Sequence, residues 1–320
     1  MRRLTRSIPV LALIGVLAAC GGSSSGGENP TVSTSPSSGT GTASGNLTVG
    51  AAGFTESNIL AQMYADLLQK AGFTVAIKTV AAQEIFQSSL EKGTIAVVPE
   101  YAATYANSLQ TIATGNQNPD AASPDLQTTM TNLKKYADKR GLTPLDPANA
   151  VDQNAFAVTK DFASKHNLTT LSDLGKSGLS VKLAAPAECK TRPFCQPGLE
   201  KTYNIKIASI LPLAFDSLPL KQAVKTGKVD MGLVATTDAT LDSFGLVVLT
   251  DDKHLQNADN LVPIVNSNVL QQHPEIATAI NPLAQVLTTE DLGTLDNQVD
   301  GERQTVQDVA KNYLTSKGLI

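Results

Sequence analysis

The chain is poor in the residues from which metal, redox and nucleic-acid sites are usually built. Its 320 residues include three Cys, three His and no Trp, and aromatic residues make up only 4%. The histidines, His166, His254 and His273, are scattered along the chain. They do not combine with the few cysteines into a zinc site of ordinary ligand spacing. No P-loop, HExxH or nucleophile elbow is present. We therefore expect no enzyme, no metal and no cofactor. Net charge is -4, and no basic stripe interleaved with aromatic residues is found, which argues against nucleic acid. Beyond the N-terminus no apolar run reaches membrane-spanning length.

What is present begins at that N-terminus. Arg2, Arg3 and Arg6 precede an apolar run from Ile8 to Ala19, too short to cross a bilayer. Residues 1–19 read as a secretory signal. The run ends in Leu17-Ala18-Ala19-Cys20-Gly21-Gly22, which resembles the bacterial lipobox. That resemblance implies that Cys20 becomes the lipidated first residue of the mature chain. The protein is then expected in the cell envelope, on the outer face of the cytoplasmic membrane. Residues 20–45, rich in Gly, Ser, Thr and Pro, cannot bury enough apolar surface to offset the entropy of ordering, and read as a flexible tether. A protein held outside the membrane has no ready ATP or NAD, so capture suits it better than metabolism. Cys189 and Cys195 remain, and in an oxidising compartment a pair this close reads as a structural disulfide.

From residue 46 the pattern alternates. Leu47 to Gly50 reads as a strand. Ile59, Leu60, Met63, Tyr64, Leu67 and Leu68 recur at helical spacing, with Thr55 as a cap and Gly72 as a stop. Phe73 to Val80 reads as a second strand, then comes a helix stopped at Gly93, then a buried strand through Ile95 to Val98. The class is α/β with mostly parallel sheets. Ligands of such sheets sit beyond the carboxyl ends of strands, which points to residues 50–55 and 99–104. A weak internal echo relates residues 89–97 to residues 223–231, each a helix end, a Gly and a strand start. Two similar lobes would explain it. Residues 282–319 read as helical and amphipathic.

Several segments resemble one family. Gly53-Phe54-Thr55-Glu56-Ser57, Pro99-Glu100-Tyr101-Ala102-Ala103-Thr104, Pro197-Gly198-Leu199, Leu249 through His254 and Leu295 through Asp300 match, in order, segments of ProX/OpuC-type substrate-binding proteins of ABC importers. The resemblance implies capture of osmoprotectants such as glycine betaine, choline or carnitine for an ABC permease and its ATPase, by a monomer. It also implies a two-lobed periplasmic-binding-protein fold (type II-like), with two hinge crossings and the ligand in the cleft between lobes. The first lobe is expected to span residues 46–151 plus 248–320, and the second residues 152–247.

Carried over residue by residue, the family's aromatic cage is incomplete. Tyr101 and Thr104 match. Phe156, after Asn154, stands where a second cage Tyr is expected, keeping a π face without the hydroxyl. Ala235, before Thr236, and Asp259 stand where two further rings are expected. Glu188 and Arg192 keep the four-residue spacing of a carboxylate-gripping pair, and backbone N–H groups after Phe54, at Thr55, offer a second anion contact. The ligand is thus a betaine held differently, or another polar or aromatic compound such as a phenolic. A ligand-sensing lipoprotein without a permease is the remaining alternative.

Overall fold

The computed structural model describes residues 44–80, 83–116 and 119–320. The signal, Cys20 and nearly all of the tether lie outside the described residues. The chain opens with β1 (Asn46–Ala52), α1 (Thr55–Ala71), β2 (Thr74–Val80), α2 (Gln83–Glu91) and β3 (Val97–Tyr101). In β1 the alternating Leu47, Val49 and Ala51 are buried. On α1 the six apolar residues at helical spacing are all buried. Burying each of the larger ones contributes about 1.5–3 kcal/mol. The helix stops where Gly72 turns left-handed (φ 112°) and its N–H reaches back to the Leu68 and Gln69 carbonyls. Its start differs from expectation. Phe54 occupies the N-cap without a side-chain cap, and the Thr55 hydroxyl donates instead to Asp300 (2.8 Å).

There follow α3 (Ala102–Thr114), α4 (Leu126–Asp138) and β4 (Leu142–Pro144). The chain then crosses to β5 (Asn154–Thr159), α5 (Lys160–His166), α6 (Leu171–Ser177), β6 (Ser180–Ala185), α7 (Gln196–Tyr203), β7 (Lys206–Pro212), α8 (Leu218–Lys225), β8 (Met231–Ala235) and β9 (Leu246–Leu249). It returns with β10 (Leu261–Asn266) and closes on α9 (Ser267–Gln272), α10 (Glu275–Val286), α11 (Thr289–Asp300) and α12 (Val306–Ser316). The last three helices share one apolar core with α1.

Two five-stranded sheets result, ordered β2-β1-β3-β10-β4 and β7-β6-β8-β5-β9. Each is mixed rather than mostly parallel. Three strands run parallel, and the fourth is antiparallel to both neighbours. That fourth strand, β10 or β5, is the one delivered by a crossing from the other lobe. The internal echo has a structural counterpart. Residues 89–97 lead into β3 and residues 223–231 into β8, the third strand of each sheet, with Gly93 and Gly227 both left-handed at φ 73° and 70°.

The two crossings lie side by side. Val151 bridges Asn260 in antiparallel sense, and the Leu261 N–H donates to the Ala150 carbonyl (2.9 Å). The return expected at Val247 comes later. Val247 pairs with Val158 inside the second sheet, Thr250 bridges Thr170, and the Gln256 amide still donates to the Phe194 carbonyl (2.8 Å). The reason is that β9 needs a partner, and β5 is the sheet edge it finds. The Cys189 and Cys195 sulfurs are in bonding contact, with Cα atoms 5.1 Å apart, and both residues are buried in the second core.

Candidate functional site

A cavity of about 310 Å³ lies between the two sheets. Tyr101, Ala103, Thr104 and Asn107 line it from the first lobe, and Phe194 and Phe215 from the second. The crossings contribute Asp152, Gln153 and Asn154 on the way out and Gln256, Asn257 and Asp259 on the way back. Its charged liners are Asp152 and Asp259, both acids.

Tyr101 stands at the carboxyl end of β3, where the chain turns into α3. As the N-cap of α3 it has no side chain suited to capping. Its hydroxyl points the other way and donates to Glu56, in the first turn of α1. Glu56 is 5% exposed. Burial, together with the charges of Asp296 and Asp152, holds its carboxyl well above the usual range, against the Tyr101 hydrogen bond. Asp296, on α11, is pushed up to about 7 by burial, with further pressure from Asp300 and Asp152. Glu56 and Asp296 act on one another, and two such buried carboxyls do not both ionise cheaply. Burial also raises Asp152, against a hydrogen bond from the Thr237 hydroxyl (3.1 Å).

Asp259 supplies the cap that Tyr101 lacks. Its Oδ1 accepts the N–H groups of Ala103 (2.8 Å) and Thr104 (3.0 Å), and its Oδ2 accepts the Thr104 hydroxyl (2.7 Å). Burial pushes it up to about 6, although these hydrogen bonds act to lower it. Asp259 and Thr104 therefore face the cavity already bonded to one another.

The expected residues divide accordingly. Tyr101, Thr104, Asn154 and Asp259 come together on the cavity. Phe156 does not. It is 1% exposed, packed in the second core with its ring on the β5 face turned from the cleft. Arg192 lines a neighbouring cavity of about 180 Å³, which shares Asn154 and Phe194 with the first. There it pairs with Glu188 (3.3 Å) on an exposed loop. Thr236 is occupied in the outward crossing, accepting the Gln153 N–H (3.0 Å) and donating to the Val151 carbonyl (2.9 Å). Phe54 and Thr55 lie outside the lining, the former as an exposed cap and the latter on Asp300. Sequence reasoning missed Phe194 and Phe215, which are 40% and 43% exposed. Both sit in loops without periodicity; an exposed ring inside a short Cys-closed loop was the available signal for Phe194. Among the described residues no group of three or more His, Cys, Asp or Glu is placed to hold a metal ion.

The profile of the substrate-binding domain of ABC-type glycine betaine transport systems matches residues 45–316. The chain is 29% identical to a glycine-betaine-binding protein of Pseudomonas aeruginosa, covering 86% of this chain and 88% of that one. It is 28% identical to the glycine betaine-binding protein YehZ of Escherichia coli strain K12, over 82% and 88% of the two chains. The solved structure of apo YehZ superposes with a TM-score of 0.74 at 27% identity, covering 86% of this chain and 99% of that one.

Proposed function

From the premise that the chain belongs to the substrate-binding domains of ABC-type glycine betaine transport systems, we propose that its inter-lobe cavity captures a small quaternary amine for import. The family binds solutes for an ABC permease outside the cytoplasmic membrane and does no chemistry on them. One observation carries the amine reading. Aromatic side chains from both lobes, Tyr101 against Phe194 and Phe215, face one cavity whose charged liners are carboxylates. A π face attracts a quaternary ammonium, at about 0.5–2 kcal/mol per contact depending on desolvation. Phenylalanines in the second lobe thus take the place of the rings missing at Ala235 and Asp259. The amides of Asn107, Gln153, Asn154 and Asn257 offer hydrogen bonds to the ligand's polar end, and Arg192 lies one cavity away for a carboxylate.

The lobes of this reading are residues 46–149 with 262–320, and residues 154–256, with the paired crossings as hinge. Closure brings the Tyr101 and Phe194 sides onto the ligand, which gives the closed form its higher affinity. The Cys189–Cys195 disulfide holds the loop that presents Phe194 and Arg192. A lipid on Cys20 keeps the monomer near its permease. A thermal-shift series with choline, glycine betaine and carnitine, against sugars and phenolic compounds, tests the class: a quaternary amine raises the melting temperature by mass action. Stabilisation by a phenolic compound alone would replace this reading.

A further inference from the structure

Glycine is a poor occupant of a helix interior, because it gives up more backbone freedom than alanine and packs nothing. Gly293 nevertheless stands inside α11, buried, between Leu292 and Leu295 of the first core. Its surroundings explain it. A β-carbon on residue 293 would lie 2.7 Å from the Thr237 carbonyl oxygen and 3.6 Å from the Ala239 β-carbon. Thr237 and Ala239 follow β8 and belong to the second lobe, whereas α11 belongs to the first. The two lobes thus meet at residue 293, with no room for a methyl group between them.

The contact lies beside the hinge. The Thr289 hydroxyl, one turn earlier on α11, accepts the Val151 N–H (2.9 Å), and the Thr237 hydroxyl donates to Asp152 (3.1 Å), so both partners hold the outward crossing. Beyond Gly293 the lobes part. Asp296, Asn297 and Asp300 continue the same face of α11 at helical spacing. With Asp216, Thr237 and Thr240 opposite, they line a second inter-lobe cavity of about 190 Å³. This wedge opens on the ligand side. Its second-lobe wall lies past the carboxyl ends of β7 and β8, and in its first-lobe wall Asp300 accepts the Thr55 hydroxyl at the start of α1 (2.8 Å). Phe215, next to Asp216, lines the ligand cavity itself.

We propose that Gly293 is a positioning residue for capture: it is the pivot on which the second lobe turns, and its missing side chain lets the lobes close on the ligand. A contact this near the hinge moves little while the lips of the cleft move far, so a methyl group at residue 293 props the lobes apart by leverage. Leu292 and Leu295 anchor α11 in a packed core, and the displacement falls on the second lobe. A protein held from closing binds more weakly, in proportion to the fraction of molecules still able to close. The inference rests on capture by closure as read above and adds to it the point about which closure turns.

The test compares wild type with Gly293→Ala, Gly293→Val and Thr294→Ala, the last a change on the exposed side of the same helix. Nitroxide labels at Phe54→Cys and Leu218→Cys, two exposed positions flanking the wedge, report the distance between lobes by electron double resonance in a Cys20→Ser background. In the empty protein that distance should be longer in Gly293→Ala than in wild type, and longer again in Gly293→Val. Without labels, choline and glycine betaine should each bind roughly tenfold more weakly to Gly293→Ala by titration calorimetry, and Thr294→Ala should bind as wild type does. Ala239→Leu, at an exposed position on the other side of the contact, inserts the same wedge and supplies the answer if Gly293→Ala does not fold. An unchanged distance in the empty variants would overturn the proposal, as would a longer distance with unchanged affinity. A wild type that binds neither amine would remove the amine reading, and the distances alone would then decide the pivot.

Discussion

Asp259 caps the helix that begins beside Tyr101: one of its carboxyl oxygens accepts the Thr104 N–H at 3.0 Å and the other the Thr104 hydroxyl at 2.7 Å. The returning crossing is thereby pinned to the first lobe at the rim of the cavity. Asp259→Ala should destabilise the protein by roughly 1–2 kcal/mol, the scale of a lost cap. Asp259→Asn should cost less, because the amide oxygen still accepts. Urea titration of both variants checks the order; equal loss would mean that the cap is not what Asp259 contributes.

Stability should fall as pH rises from about 5 to 8. A carboxyl whose pKa is raised on folding binds its proton more tightly in the folded chain. Its contribution is therefore complete below the unfolded value near 4 and is lost as pH climbs through the folded one. Those folded values are about 6 for Asp259 and about 7 for Asp296 and Asp216, each raised first by burial. Asp291 and Asp173 lie below their ordinary values, held there by hydrogen bonds, and they erode stability only in stronger acid. Melting curves across this range should show a maximum near pH 5, flattened in Asp296→Asn. A melting temperature that rises steadily to pH 8 would contradict it.

Lys221 sits almost buried between Asp238 (2.8 Å) and Asp216 (3.8 Å), donating also to the Thr240 hydroxyl (3.0 Å). Asp238 is held low by the Lys221 and Thr240 hydrogen bonds despite its burial, while burial and the neighbouring Asp238 charge raise Asp216. Lys221→Met leaves two buried acids without their cation, at a cost of roughly 3 kcal/mol. The loss should shrink at pH 5, where the acids take up protons. A denaturant midpoint that stays low at both pH values would point to lost packing rather than lost charge.

Phe156 and Phe194 should separate stability from binding. Phe156→Ala opens a cavity in the second core and should cost about 3–5 kcal/mol of stability, with ligand affinity altered little in the molecules that remain folded. Phe194→Ala removes a half-exposed ring and should leave the melting temperature of the empty protein nearly unchanged. The Cys189→Ser/Cys195→Ser variant should show both effects. Closing so short a loop is worth roughly 2 kcal/mol, but its larger effect should be on affinity, through the Phe194 loop. Calorimetry beside differential scanning fluorimetry gives both readings for each variant.

The fold was largely legible because its signals are local. Helical spacing on α1, the left-handed glycines at 72, 93 and 227, and the echo between residues 89–97 and 223–231 each report on a few neighbouring residues, and each has its counterpart in the structure. The lining of the cavity was legible where a strand end fixes a side chain, as at Tyr101 and Asn154. It was misread where a position was inferred from the order of segments alone. Phe156 faces the core because alternation along β5 puts it there. Asp259, by contrast, does line the cavity, and there its carboxyl also caps α3. Phe194 and Phe215 come from loops, whose course depends on the sheets that carry them and leaves no period to read.

The account turns on aromatic faces from two lobes meeting one cationic head. Titration of choline, glycine betaine and carnitine into wild type, Tyr101→Ala and Phe194→Ala measures this directly. Each substitution should weaken the best of the three ligands by about 1–2 kcal/mol, the worth of a desolvated cation–π contact, while the empty Phe194→Ala protein melts close to wild type. Tight binding of any of these amines that survives both substitutions unchanged would place the ligand elsewhere and contradict the account.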